Sequence, residues 1–300
     1  MTLSSHVFPN GDVLLAAHVH RPEGDPFARR PAVVVMGSWL TVKEQMADRY
    51  AAALAERGYL AVTFDFSGFG ASGGTLRQTE MPTRKIADIA AAIRWVSSLS
   101  DVAPGGVGVA AVCASAQYTL AALAAGAPVR SFASVAGWFH DTASVAAFYG
   151  GAEGVTARID RAQVATEEYL RTGKAPTVAA YASGDETAGM FIDMDYYANP
   201  ERGAIPSWHN AMTEITWAHW LTFDGLAAAP SVDAPTLFVH SNGCVFPDHV
   251  RMLAKTVAGP VTTVWGEGEQ TDFYDRPAQT AFALDALDAH FRATLGGADR

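Results

Sequence analysis

Short apolar runs that alternate with helix-length segments constrain this chain more than any other feature. PAVVVMG (31–37) has the pattern of a buried strand stopped by Gly37, and residues 42–57 repeat apolar positions at helical spacing before Gly58. YLAVTFDF (59–66) reads as the next strand, a glycine-rich loop follows, and a helix is predicted over 83–99. GVGVAAV (106–112), SAQYTLAALAAG (115–126) and VRSFASVAGWF (129–139) continue as strand, helix and strand. DVLLAAHVH (12–20) precedes them as an early strand, closed by turn-forming residues 21–26. This alternation predicts an α/β fold, a mostly parallel sheet covered by helices on both faces.

The rhythm stops between His140 and about Pro230, where no convincing strand occurs. Within it, SWHNAMTEITWAHWLTFDG (207–225) puts Trp208, Met212, Ile215, Trp217 and Trp220 on roughly one helical face. Alternation resumes with PTLFVH (235–240), a helix over 247–257, VTTVW (261–265) and a final helix over 277–295. The expected organisation is a core domain, 1–139 with 231–300, interrupted by a helical lid over 140–230.

Composition narrows the function classes. With 49% apolar residues in 300, the chain can bury a substantial core. A net charge of −10 and the lack of a basic patch argue against nucleic acid or anionic membrane as partner. Cys113 and Cys244 form neither a disulfide framework nor a zinc set, which suits a reducing cytosol. No signal peptide and no apolar run of the roughly 20 residues a membrane span needs is visible. The paired Asp193 and Asp195 of FIDMDYY lack the spacing that would complete a metal site. A cytoplasmic protein acting on a small molecule is expected, without metal or cofactor, with a homodimer as candidate assembly.

Two motifs fall in GFGASGG (68–74), which matches both G-x-G-x-x-G and G-x-S-x-G. Neither has its required context. Pro82 delays the next helix, so no helix N-terminus is available for a pyrophosphate, and Ser72 is not on a tight strand-to-helix turn. Backbone passing close to another group is the better reading.

GVAAVCASAQY (108–118) does have the context, an apolar strand breaking directly into a helix. A strained elbow of this kind needs small residues two before and two after the nucleophile. Centred on Cys113 these are Ala111 and Ser115; centred on Ser115 they are Cys113 and the bulky Gln117. A thiol at a helix N-terminus also gains from the dipole and the exposed N–H groups.

With these residues the chain resembles the α/β-hydrolase superfamily, closest to its dienelactone-hydrolase-like branch. MGSWLTVKEQMADRYAAALAERGYLAVTFDFSGFGASGG is similar to the family's oxyanion-loop region, AAVCASAQY to its elbow, and GEGEQTDFYDRP to its closing G-x-x-H-x-D-x-Y-D segment. The resemblance implies Cys113 as nucleophile. It also implies an oxyanion hole from the Ala114 N–H and one N–H of the loop holding Ser38 and Trp39.

Two triad positions depart from the family. Aligned on Asp272, Tyr274 and Asp275, Gln270 stands where the catalytic histidine belongs, and glutamine takes no proton at neutral pH. Asn242 or Cys244 occupies the place of the acid, with Asp248 late. His140 and Asp141, following the strand beside that of Cys113, are the candidate substitute base and its orienter. Trp217, His219 and Trp220 are candidate pocket residues. Ester, thioester or lactone chemistry on an apolar molecule is the leading expectation. A lyase, isomerase or cyclase step using Gln270, and non-catalytic binding, are the alternatives.

Overall fold

The computed structural model describes residues 1–25 and 28–296; of the turn read at 21–26, Pro26 lies outside them. Two strands, β1 (Thr2–Asn10) and β2 (Val13–Arg21), form an antiparallel hairpin through the left-handed Gly11. Then come β3 (Arg30–Met36), α1 (Met46–Glu56), β4 (Leu60–Phe64), α2 (Pro82–Ser97), β5 (Val102–Val112), α3 (Ser115–Ala124) and β6 (Ser131–Val135). The next part of the chain holds α4 (Thr142–Phe148), α5 (Gly151–Thr172), β7 (Thr177–Val178), α6 (Asp195–Ala198), β8 (Met212–Thr213) and α7 (Thr216–Trp220). The chain closes with β9 (Thr236–Gly243), α8 (Pro247–Thr256), β10 (Val261–Glu269), α9 (Asp272–Asp275) and α10 (Pro277–Thr294).

Eight strands form one sheet in the order β1-β2-β4-β3-β5-β6-β9-β10. From β4 to β10 neighbouring strands are parallel, while β2 pairs antiparallel with both β1 and β4. Helices cover both faces, so β4 and β6 are buried at every position and show no alternation of buried and exposed residues. This is the α/β-hydrolase fold.

Three local differences from the sequence reading have physical causes. β1 carries no readable strand pattern, because the polar Ser4 and His6 take inward-facing positions while the apolar Leu3 and Val7 face solvent. The strand predicted over 129–139 ends at Val135, where Ala136 turns to φ 45° and Trp138 N–H bonds back to the Cys113 carbonyl. The single helix expected across the Trp-rich stretch is mostly loop: Met212–Thr213 pairs with Thr177–Val178, and only Thr216–Trp220 is helical. Its apolar spacing served burial in an irregular fold, not helical periodicity. No helix among the described residues is long and apolar enough to cross a membrane.

Strand order decides where chemistry can happen. The chain leaves β4, passes beyond β3 and returns as β5, so β3 and β5 are neighbours whose connections run to opposite sides. At such a switch point the loops beyond the strand C-termini splay apart and leave a crevice. Met36 pairs with Ala111 there, which sets the loop after Gly37 beside Cys113.

Candidate active site

Cys113 sits at φ 60°, a left-handed conformation rare for a residue with a Cβ, on the two-residue break between β5 and α3. Its N–H donates to the Val135 carbonyl (3.1 Å), and its own carbonyl accepts from Ala116 (3.0 Å) and Trp138 (3.0 Å). Those bonds hold the strained turn. Ser115, two residues on, is buried and spends its hydroxyl on the Val112 and Met36 carbonyls at 3.0 and 3.3 Å.

The thiol faces a cavity of about 640 Å³. Its inner wall is aromatic: Trp39 and Trp220 stack at 4.6 Å between ring centres, Trp138 tilts against Trp220 at 5.6 Å, and Phe148 lies against Trp138 at 5.2 Å. The 140–230 segment supplies Tyr149, Met190, Phe191 and Tyr197 to the same lining. A cavity this apolar with a few converging polar groups is the usual form of a small-molecule site.

Neutral donors surround the sulfur. The side chains of Ser38, Tyr274 and Gln270 and the N–H of Ala114 reach it, and their bonds oppose burial, which nevertheless pushes the Cys113 thiol up. Tyr197 donates to the Ser38 hydroxyl (3.0 Å), and Ser38 lies 3.4 Å from the Tyr274 hydroxyl. Burial raises both phenols well above their ordinary range, so they remain protonated donors.

Gln270 is locked at both ends of its amide. Its Nε2–H₂ donates to the Ala136 carbonyl (2.7 Å) and the Tyr274 hydroxyl (3.2 Å), and its Oε1 accepts from the Val245 N–H (3.1 Å). The loop after β9 therefore meets residue 270 through a backbone N–H, the partner an amide oxygen needs. None of the three acid candidates fills that place. Asp248 is exposed and pairs with Arg251 (2.8 Å), Asn242 accepts from Arg251, and buried Cys244 takes the Ser241 hydroxyl at 3.3 Å.

The structure does not bring His140 to the thiol. The ring is fully buried beside Trp220, its Nδ1 accepting from the Trp138 indole (2.7 Å) and its Nε2–H donating to the Trp220 carbonyl (3.0 Å). Both nitrogens are committed, and burial lowers its pKa to about 4. Asp141 caps α4 instead, accepting from the Ser144 N–H at 2.8 Å in a capping box. Of the three candidate pocket residues only Trp220 lines the cavity. Trp217 is buried behind it with its indole on Glu214 (2.9 Å), and His219 lies near Arg84, outside the lining. The Ser38 hydroxyl, Tyr197 and Tyr274 were not recognisable as thiol-side groups, because neighbourhoods made by three distant loops leave no local pattern.

Behind the Ser38–Trp39 loop lies a buried ion pair. Lys85 Nζ is 2.8 Å from the Glu80 carboxylate, which also accepts from the Tyr118 hydroxyl (2.7 Å) and the Leu40 N–H (3.2 Å). Leu40, itself at φ 58°, is held on its other side by the Trp208 indole on its carbonyl (2.9 Å). The glycine loop at 68–74 has an equally local purpose: a Cβ on Gly70 would stand 2.2 Å from the Asp65 carboxylate, which accepts from Lys43 and Ala71 N–H groups. That carboxylate is the group the loop passes close to. His18, His20 and Asp48 form a separate polar cluster on β2 and α1, with both imidazoles bonded to the carboxylate (2.7 and 3.0 Å).

Known proteins agree with this architecture. The chain is 27% identical to the uncharacterized protein YcjY of Escherichia coli K12, over 95% of this chain and 96% of that one. The crystal structure of a hypothetical protein, PA2218 of Pseudomonas aeruginosa, superposes with a TM-score of 0.82 at 24% identity, covering 98% of this chain and 94% of that one. The α/β hydrolase GrgF from Penicillium sp. sh18 superposes at 0.77 with 19% identity, over 97% and 99% of the two chains. Residues 10–243 match the pattern of the X-Pro dipeptidyl-peptidase (S15) family, a hydrolase family. The chain belongs to that family.

Proposed function

We propose that this protein is an enzyme acting on the carbonyl of an ester, thioester or lactone of a mainly apolar small molecule, with Cys113 as the attacking atom. The observation that carries this reading is the strained φ of Cys113 on a strand-to-helix turn whose thiol opens on an aromatic cavity. Strain of this kind persists only where surrounding structure holds it, and it concentrates at working sites. The Ala114 N–H and an N–H of the Ser38–Trp39 loop would hold the developing oxyanion. The 140–230 segment serves as the lid, since it walls the cavity with Tyr149, Met190, Phe191 and Tyr197. A reducing, cytoplasmic setting suits a working thiol.

Among acyl substrates the thioester is favoured. Its leaving thiolate departs without a proton, whereas an amide needs a proton delivered to nitrogen, a task an imidazole performs and Gln270 cannot. Peptide cleavage is therefore the least supported acyl chemistry for this site, despite the family. A second reading, a lyase, isomerase or cyclase step on an activated carbonyl, draws support from the neutral donors around the sulfur, which could polarise a carbonyl without any covalent bond.

A panel of aliphatic and aryl acyl thioesters, followed by intact mass and by free-thiol release, tests the first reading. It expects an acyl adduct on Cys113 that is lost in Cys113→Ala. Turnover undiminished in Cys113→Ala would sink it and leave the second.

A further inference from the structure

We infer that an acyl group carried by Cys113 is passed to a primary amine rather than to water, so that the site is an acyl-transfer centre; this rests on the reading of Cys113 as nucleophile. Water attacking a thioester must lose a proton as the new bond forms, and a positioned base accelerates that step by about 10²–10⁴. The place from which a base would serve both sulfur and water is filled by Gln270, its amide held by Ala136, Tyr274 and Val245. The other side chains reaching the sulfur, Ser38 and Tyr274, are hydroxyls. His140 is bonded away from the cavity through both ring nitrogens.

An amine does not need that base. Its neutral form attacks with a free lone pair and sheds its proton only after the carbon–nitrogen bond exists. The cavity lining favours this acceptor further. It carries four carboxylates, Asp193, Asp195, Glu269 and Asp272, against two guanidiniums, Arg202 and Arg276. Asp195 pairs with both guanidiniums, Arg202 at 3.1 Å and Arg276 at 3.7 Å, so the exposed Asp193 and Glu269 carry the negative charge that would concentrate an incoming ammonium ion. The aromatic inner wall beside the sulfur suits the acyl chain and keeps bulk water off the thioester.

The two steps balance. In the first, the Cys113 sulfur bonds the acyl carbon, the donor's carbon–sulfur bond breaks, and the thiol proton leaves on the released donor thiol. In the second, the ammonium ion first gives one proton to solvent at the exposed cavity mouth; the neutral amine nitrogen then bonds the acyl carbon, the Cys113 carbon–sulfur bond breaks, and one further amine proton returns to the sulfur. The product is an amide, and no oxidant or reductant is involved.

The test uses the full chain with the N-acetylcysteamine thioester of a medium-chain fatty acid, with and without cadaverine, reading intact mass together with released acid and amide. The expected result is an adduct on Cys113 that persists without amine and is discharged as amide when cadaverine is added. Gln270→His should shift the partition toward free acid by about 100-fold, the lower end of a general base's contribution. If the adduct forms on the wild-type chain but is discharged as acid at the same rate with and without cadaverine, the transfer inference is overturned while the Cys113 reading stands. If no adduct forms on Cys113, both fall. The wild-type partition between acid and amide decides the question even if Gln270→His does not fold.

Discussion

Two buried clusters press on the same loop from opposite sides, and they are built from opposite materials. Behind Leu40 lies a charged one, Glu80 with Lys85, closed by Tyr118 and by the rings of Phe66 and Phe69, which lie 4.4 and 4.7 Å from the ammonium. In front, around Cys113, lies a neutral one of Ser38, Tyr274, Tyr197 and Gln270. The fold can bury full charges a few residues from the site, so the neutrality around the sulfur is not forced by lack of room for charge. Charge is used where a loop must be held, through a carboxylate that grips the Leu40 N–H. Around the thiol the same depth of burial, filled with hydroxyls and an amide, keeps the sulfur protonated.

The largest expected effect comes from breaking the charged cluster. Lys85→Met leaves the Glu80 carboxylate buried and unpaired, a loss of about 3–5 kcal/mol of stability by urea denaturation. Adding Glu80→Leu should recover part of it, because two matched apolar groups remove the stranded charge. A cost of the single change below about 1 kcal/mol, the size of an ordinary surface pair, would show that the pair does not hold the loop.

The neutral cluster predicts a pH profile. Burial holds the Cys113 pKa above the ordinary thiol value, and the thiolate is the reactive form. Alkylation by iodoacetamide should therefore climb about tenfold per pH unit from 6 to 8 with no plateau, since the thiolate fraction grows tenfold per unit below a pKa. A plateau below pH 8 would reveal a cation or base acting on the sulfur. Tyr274→Phe removes one donor and should slow alkylation several-fold at fixed pH, about 1 kcal/mol for a hydrogen bond to a forming anion.

The smallest effect separates structural from chemical roles in the segment after β6. Asp141→Ala should cost about 1 kcal/mol through the lost cap of α4 while leaving the adduct rate at Cys113 unchanged. A fall in that rate without a fall in stability would return Asp141 to the catalytic machinery.

Much of the fold was legible because its signals are local. The runs at 31–37, 59–66 and 106–112 carry strand patterning in their own residues, and Ala111 and Ser115 mark the crowded turn around Cys113. His140 was less legible. An imidazole after a strand beside the elbow suggests chemistry, but its partners, the Trp138 indole and the Trp220 carbonyl, come partly from eighty residues away. Trp217 and Trp220 look equivalent in TWAHW, yet one lies behind the wall and the other forms it, because the Trp217 indole is drawn to Glu214 while Trp220 stacks on Trp39.

Taken alone, the sequence determined the sheet-and-helix alternation, the strained elbow and the lack of a histidine between His249 and His290, all matters of residue type and near-neighbour spacing. Only the tertiary structure decided which groups surround the sulfur. Ser38, Tyr197 and the Gln270–Tyr274 pair come from three distant stretches, brought together by the order of strands and the path of the 140–230 segment. Tertiary structure also decided that both faces of the Gln270 amide are spent on Ala136, Tyr274 and Val245. Hydrogen bonds between distant loops depend on angles and distances that no spacing along the chain encodes.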